Sequence, residues 1–580
     1  MAGKVLDVEH TLDPDYMAVE IANKFTLWND LRRPKLEEWK ELRNYLYATD
    51  TRTTNNALLP WSNNTTTPKL TQIMDNLHAN YFASLFPNQK WMKWEGGDEE
   101  SDNKFKKRIV ESYLYHKMDK SDFINSVSDL LYDYIQYGNC FGMVEHVVET
   151  VQEPDGAVSV KYIGPKLSRI SPFDIVFNPV AAHFSSTPKI IKSIKTLGEI
   201  KKMIDEDPQN DYLRMVFEKM VANRQTVLSS SEVDKADGFV ADGFNNIQQY
   251  YGSDYVEILT FYGHIYDKEA EQYLGNRVIT VCDRAYVLDN RANESWFGEA
   301  PIFHVGWRPR PDNLYAMGPL DNLVGMQYRI DHLENLKADV FDQIAYPVKI
   351  IRGDVEEFDW EPGAEIYVGE EGNVEYLVPD ATALNADMQI DVLQNRMEEL
   401  AGAPRQAMGI RTPGEKTAFE VSTLQNSASR IFEHKTAHFE RVFLEPILNA
   451  MLEIGRRHLD RYELIPANNE DGSRRYFMEI KKSDLLGQGS LKPIGARHFA
   501  EKARRVQNLS QLMQVKAADP SMAPHISGKE LARIFAEELG EEKLYGENIA
   551  IKEQMETEMA AQDAQADIEE DMMDKAERGI

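Results

Sequence analysis

The stretch "PLDNLVGMQYRIDHLENLKADVFDQIAY", residues 319–346, sets the architecture of the chain. Leu320, Leu323, Ile330, Leu333, Val340, Phe341 and Ile344 return at intervals of three and four, which is the spacing of one apolar helix side. At 1.5 Å per residue such a helix runs for about 40 Å. Pro347 stops it. The segment 347–386 then reads as a small β module rich in acids, and "ADMQIDVLQNRMEELAG", 386–402, returns as helix. Beyond it, "GIRTPGEKTAFE", 409–420, launches another long helix. Its apolar positions Val421, Leu424, Ala428, Ile431, Phe439 and Val442 lead to an expected bend at Pro446. Long helix, β module, helix, loop, long helix is not a layout that general rules assign to an enzyme.

The launching loop invites comparison with a phosphate-binding P-loop, in which backbone N–H groups wrap the phosphates and a lysine directly after the second glycine reaches them. Here Glu415 holds the lysine's place, Lys416 and Thr417 come one residue late, Pro413 removes an N–H, and helix precedes the loop where a strand is required. The residues fit a capping box better: Thr412 as N-cap, Pro413 at the first helical position and Glu415 three residues after the cap.

A chain of 580 residues can build several cores without disulfides. Its two distant cysteines, Cys140 and Cys282, give no metal spacing and no disulfide framework, which suits a reducing compartment and leaves a single bridge open. No apolar run has the length of a signal peptide or the roughly 18 residues of a membrane span, so a soluble intracellular product is expected. With 95 acidic against 65 basic side chains the formal charge is −30, the wrong sign for an ordinary DNA-gripping domain. It does not exclude a surface past which DNA slides, because adhesion grows with the number of phosphates neutralised.

The rest of the chain divides by period. Residues 18–50 predict an amphipathic helix broken near Pro34, residues 70–86 a helix stopping at Pro87, and residues 104–138 a third. From Asn139 the period falls to two, with a hairpin about Asp155-Gly156 and further strands up to Trp307; "TLGEIKKMI" is helical between them, followed by a polar loop. Helices return after residue 500, and the tail from Glu553 to Glu577 carries ten acids and one base. The fold class expected is α+β.

This order resembles that of the bacteriophage portal protein, the head-to-tail connector, in the form found in short-tailed phages. "PWSNNTTTPKLTQIMDNLHANYFASLFP" is similar to the family's Pro-Trp segment and the helix ending in Leu-Phe-Pro, "ISPFDIVFNP" to its Pro-x-Asp-x-x-Phe-x-Pro stretch, and "EKTAFEVS" to the Thr-Ala-x-Glu start of its long helix. The resemblance covers roughly residues 15–545. It implies N-terminal helices and a mixed α/β wing in 1–318, a stem helix in 319–346, a clip in 347–386, a second stem helix in 387–402, a tunnel loop in 403–416, a long helix and wing return in 417–500, a helical crown in 501–552 and an acidic tail in 553–580. It further implies a homododecameric ring at one capsid vertex of the virion, with terminase, tail adaptor, capsid and scaffold proteins and passing double-stranded DNA as partners. No enzymatic activity, cofactor, metal or membrane contact is implied.

Candidate site residues follow from that reading. Arg405, Arg411 and Lys416 near the tunnel loop either touch phosphates or pair with Glu415 and neighbouring subunits. In the clip, Phe358 and Trp360 among Glu356, Glu357 and Glu361 form a docking surface, or else serve the clip's own packing or subunit contacts. His434 and His438 stand four apart on a helix, but Lys435 occupies the place of a zinc-protease glutamate and no third ligand is evident, so a surface or interface helix is expected. The rival class is a nuclease or nucleotidase of a packaging machine, against which the failed P-loop and the missing ligand set argue.

Overall fold

The computed structural model describes residues 13–47, 65–87, 91–98, 101–152, 158–205, 211–227, 254–267, 271–293, 299–345, 347–353, 369, 372–377, 386–401, 432, 434–459, 462–468, 475–494, 509, 510, 512, 533 and 534. The chain forms two units, Met1–Pro493 and Ile494–Ile580. In the second, residues 509, 510, 512, 533 and 534 are helical. The elements of the first are, in chain order, α1 (Pro14–Leu46), α2 (Lys69–Leu85), β1 (Met92–Gly96), α3 (Lys104–Lys120), α4 (Phe123–Gln136), β2 (Asn139–Gln152), β3 (Val158–Ile170), β4 (Ile175–Phe177), β5 (Lys189–Thr196), α5 (Leu197–Asp205), α6 (Asp211–Val227), β6 (Tyr255–Asp267), β7 (Gln272–Cys282), β8 (Tyr286–Ala292), β9 (Ile302–Gly306), β10 (Arg308–Arg310) and β11 (Asn313–Met317). After these come α7 (Val324–Ala345), β12 (Val348–Arg352), β13 (Asn373–Leu377), α8 (Asp387–Ala401), α9 (Glu445–His458), β14 (Tyr462–Asn468), β15 (Arg475–Lys481), α10 (Lys482–Leu485) and β16 (Gly489–Pro493). Helices and antiparallel sheets are segregated, which makes the fold α+β.

Two packing arrangements organise the first unit. In one, strands β4 to β8 form a five-stranded antiparallel sheet in sequence order, and Met17, Ala18, Ile21, Phe25 and Trp28 of α1 bury themselves on Ile190, Leu259, Phe261, Ile279 and Val281 of its inner face. In the other, the largest core, α2, α3, α4 and α9 enclose side chains from the sheet β3-β2-β9 and from the starts of α7 and the end of α8. The β2–β3 hairpin has the antiparallel register expected from its period, from Phe141 opposite Ile170 to Gln152 opposite Val158, while its turn residues lie outside the described residues. Between α4 and β2, Gly138, at φ +67°, passes so near Gly318 that an added Cβ would stand 2.3 Å from the Gly318 nitrogen.

Three sequence expectations are corrected. The first helix is not broken near Pro34; α1 runs through it for 33 residues. Burial of Phe25 and Trp28 before the proline and of Trp39, Leu42 and Leu46 after it outweighs the roughly 3 kcal/mol that an interior proline costs. Arg32 fixes the same place. Its guanidinium is buried and donates to the carbonyls of Pro172 (3.0 Å), Phe173 (2.7 Å) and Ile175 (2.6 Å). The segment 104–138 is two helices, because Asp122 takes the left-handed conformation at φ 57° and turns the chain so that Phe123 enters the core. At Pro446 the helix continues to His458; the irregularity is a π-helical turn just before it, Glu440–Leu444, and the proline sits harmlessly in the first turn of α9.

Arg32→Ala should lower unfolding stability by about 2–4 kcal/mol, because three buried carbonyls lose their donor. Arg33→Ala, which removes only an exposed pair with Glu37, should cost at most about 0.5 kcal/mol. Urea titrations giving equal midpoints for the two variants would contradict the clamp.

Candidate functional site

All nine candidate residues named from the sequence, Arg405, Arg411, Glu415 and Lys416 of the loop and Glu356, Glu357, Phe358, Trp360 and Glu361 of the β module, lie outside the described residues. The proposed capping box at Thr412, Pro413 and Glu415 lies outside them too. What is described is the frame that carries both segments: α7, the β12–β13 pair and α8.

Helix α7 begins five residues later than its apolar spacing predicts. The Gly318 N–H donates to Asp321 (3.0 Å), whose carboxylate also accepts from Lys35 (2.6 Å), and this closes a turn over residues 319–323 before the helix starts. The helix then presents a buried row that the apolar pattern did not contain. Gln327, Asp331 and Asn335, each one turn from the next, point at the extended segment Thr65–Pro68. Asn335 accepts from Thr65 N (2.8 Å) and donates to Thr65 O (3.1 Å). Asp331 accepts from Thr67 N (2.9 Å), and Gln327 donates to Thr67 O (2.6 Å) and accepts from Leu70 N (3.3 Å) at the start of α2. Three side chains thus pair the backbone of Thr65 and Thr67, which lies in neither helix nor sheet.

Asp331 carries a charge problem within this row. Its Oδ1 takes the bonds from Thr67 and Gln327, while its buried Oδ2 has no hydrogen-bond partner among the described residues. Burial pushes its carboxyl up to about 6, against the opposing pull of the Thr67 and Gln327 bonds.

Helix α8 returns antiparallel to α7. Lys337 meets Asp387 at 2.5 Å near one end, and at the other the buried pair Lys69–Glu398, 2.6 Å apart, ties α8 to α2 beside the Thr65–Pro68 segment. Ile390, Met397 and Ala401 face the core. Between the helices β12 and β13 pair antiparallel, from Val348 opposite Leu377 to Arg352 opposite Asn373.

Both helices also carry apolar side chains that the described residues leave exposed. On α7, Tyr328 and Leu336 belong to one exposed row. Asn335 is the last buried residue, and the ten residues after it run about 15 Å beyond the core. Phe341 therefore stands 62 % exposed although it shares a side with Ile330, which is fully buried. On α8, Met388 and Val392 lie opposite Ile390 and are 77 % and 44 % exposed. The sequence matches no protein-family model and no curated protein.

A cavity of about 370 Å³ opens between α3, β3 and the residues Leu459, Tyr462 and Glu463; of its two lysines Lys161 is exposed, and Lys117 is bound to Glu463 (2.6 Å) and to the Ile163 carbonyl (2.7 Å). Among the described residues no group of three or more His, Cys, Asp and Glu side chains is arranged to hold a metal, and no described helix is long and apolar enough to cross a membrane. His434 is exposed and His438 hydrogen-bonds the backbone at Gly306.

The pH dependence of stability tests the polar row. Asp331 favours the protonated form in the folded state, so its contribution is fully present below the ordinary carboxyl pKa and is lost as pH rises through about 6. Relative to Asp331→Asn, the wild type should lose about 2–3 kcal/mol between pH 4 and pH 8, measured by urea unfolding at each pH. Parallel stability profiles for the two proteins would show that Asp331 is not held in this way.

Proposed function

We propose that the chain is a bacteriophage portal subunit that closes into a ring, forms the channel for DNA packaging and ejection, and offers its β module to terminase and then to a tail adaptor at the head-tail vertex of the virion. One observation carries the reading: α7 and α8 each bury one side in their own chain, while Tyr328, Leu336, Met388 and Val392 on their other sides, and Phe341 where α7 runs beyond the core, stand exposed among the described residues. Helices that are apolar on two sides need a neighbour, and a closed ring of identical copies supplies one to every subunit.

The order of elements supports the same reading. A helix leaves the core, the β12–β13 pair follows it and a second helix returns, with the sequence between β12 and β13 inserted in that connection. That segment holds Phe358, Trp360 and three of the acids proposed for docking. The formal charge of −30 per chain, repeated around a ring, gives passing DNA few places to adhere. Assembly, in this account, needs neither nucleotide nor metal.

Leu336→Glu combined with Val392→Lys should abolish assembly while leaving the fold intact, since both side chains are exposed in the single chain. Sedimentation velocity should show closed oligomers for the wild type and monomers for the double variant, with matching circular dichroism melts. A wild type that stays monomeric at micromolar concentration would refute the ring. On pre-formed rings, replacing Phe358 and Trp360 together by alanine should raise the dissociation rate of the adaptor, interface aromatics being worth about 2 kcal/mol or more each. An unchanged rate would move the docking site elsewhere.

A further inference from the structure

The chain carries 30 more acids than bases, yet its first unit gathers a group of cations that form no ion pair among the described residues. Trp307, buried at the end of β9, is the centre of this cluster. Its indole N–H donates to the Tyr81 hydroxyl (3.3 Å), which fixes the ring. Lys435 lies over one part of that ring, with Nζ 4.3 Å from the centroid, and donates to the Trp307 carbonyl. The Arg308 guanidinium lies 5.4 Å from the same centroid. Arg310 follows two residues along β10, across an irregularity in its pairing with β11, and both arginines are exposed. From the helix, His438 is close enough to Lys435, Arg441 and His434 for all three to oppose its protonation, although burial is the largest cause of its lowered pKa. Burial, and then Arg308, likewise depresses Lys435.

Among the described residues no carboxylate pairs with Arg308, Arg310, Lys435 or Arg441. Elsewhere in the same unit basic groups find acids readily, as Arg169 finds Asp133 and Arg284 finds Glu257. Leaving several like charges together costs stability through mutual repulsion, and an aromatic anchor that holds two of them in place removes the freedom to swing apart. Such a row is complementary to an anion whose charges also repeat at short intervals.

We infer that the row Arg310, Arg308, Lys435, His438 and Arg441 is a contact for the phosphodiester backbone of double-stranded nucleic acid. A protein carboxylate is a single charge, usually mixed with cations, whereas a duplex offers a continuous line of phosphates that strand and helix residues at these spacings meet one after another. Screening confines the repulsion from the rest of the acidic chain to roughly 10 Å at ordinary salt, so a local cluster binds although the net charge is negative. Trp307 is buried and reads no bases, which makes the contact independent of sequence. The cluster lies within a single chain and stands apart from whether the chains close into rings.

The test uses the full-length protein and a fluorescent duplex of about 20 base pairs, followed by anisotropy between about 50 and 200 mM salt. Wild-type affinity should fall steeply with salt, with a logarithmic slope of about −3 to −4. Arg308→Glu, Arg310→Glu and Arg441→Glu together should weaken binding tenfold or more at the lower salt and flatten the slope by about 3, each phosphate contact contributing about 0.9. Reversal of Arg33 and Lys219, on α1 and α6, should change affinity less than twofold. If the triple variant melts early, Arg310→Gln with Arg441→Gln, at exposed side chains, should still flatten the slope by about 2. Equal losses in the cluster and control sets would overturn the assignment, as would no binding by the wild type at low salt. A triple variant that keeps the duplex but loses self-association would overturn it as well, making the cluster a contact between copies.

Discussion

The side of α7 that faces its own chain is set by hydrogen bonds as much as by apolar contact. Gln327, Asp331 and Asn335 satisfy the backbone of Thr65–Pro68, and Gln327 reaches the first turn of α2. Rotating α7 to hide Tyr328 and Leu336 would strand that backbone inside the protein, at a cost of about 1–3 kcal/mol for each group left unpaired. The buried Lys69–Glu398 pair then sets α8 in the same frame, since separating two buried charges costs more than a surface pair would. The exposed apolar side of each helix is thus a consequence of what its other side is obliged to hold.

That constraint links the core to the proposed ring. A helix rotated by local packing alone would be free to turn and bury its second side when isolated; one held by a row of paired polar groups keeps that side available. The energetic cost of exposing Phe341 and Met388 falls on the single chain, and in the proposed ring a neighbour would recover it. Asp331 is the weak member of the row, because a half-satisfied buried carboxylate resists ionisation.

Much of the order of elements was legible in the sequence. The α+β class, the β2–β3 hairpin and the succession α7, β pair, α8 follow from changes in apolar period, which burial imposes directly. The unbroken α1 was not legible, because the favourable term that overrides Pro34 comes from the distant five-stranded sheet and from the Pro172–Ile175 carbonyls. Nor was the break at Asp122, a single left-handed residue inside a continuous helical pattern. The polar row on α7 was missed because Gln327, Asp331 and Asn335 read as a solvent face; their spacing of four and their short side chains, among longer charged neighbours, were the available signal. The cluster about Trp307 joins residues more than a hundred positions apart and leaves no mark on either segment alone. The tunnel-loop and clip candidates lie outside the described residues, so the structure bears on their frame and not on their side chains.

The central claim is that α7 and α8 are covered by a neighbouring copy of the same chain. Native mass spectrometry of the purified 66.5 kDa chain tests it most directly, without nucleotide, metal or partner. The account predicts one dominant species whose mass is an integral multiple of the chain's, twelve by the family resemblance, that survives mild activation. A spectrum dominated by the single chain at micromolar concentration would contradict it.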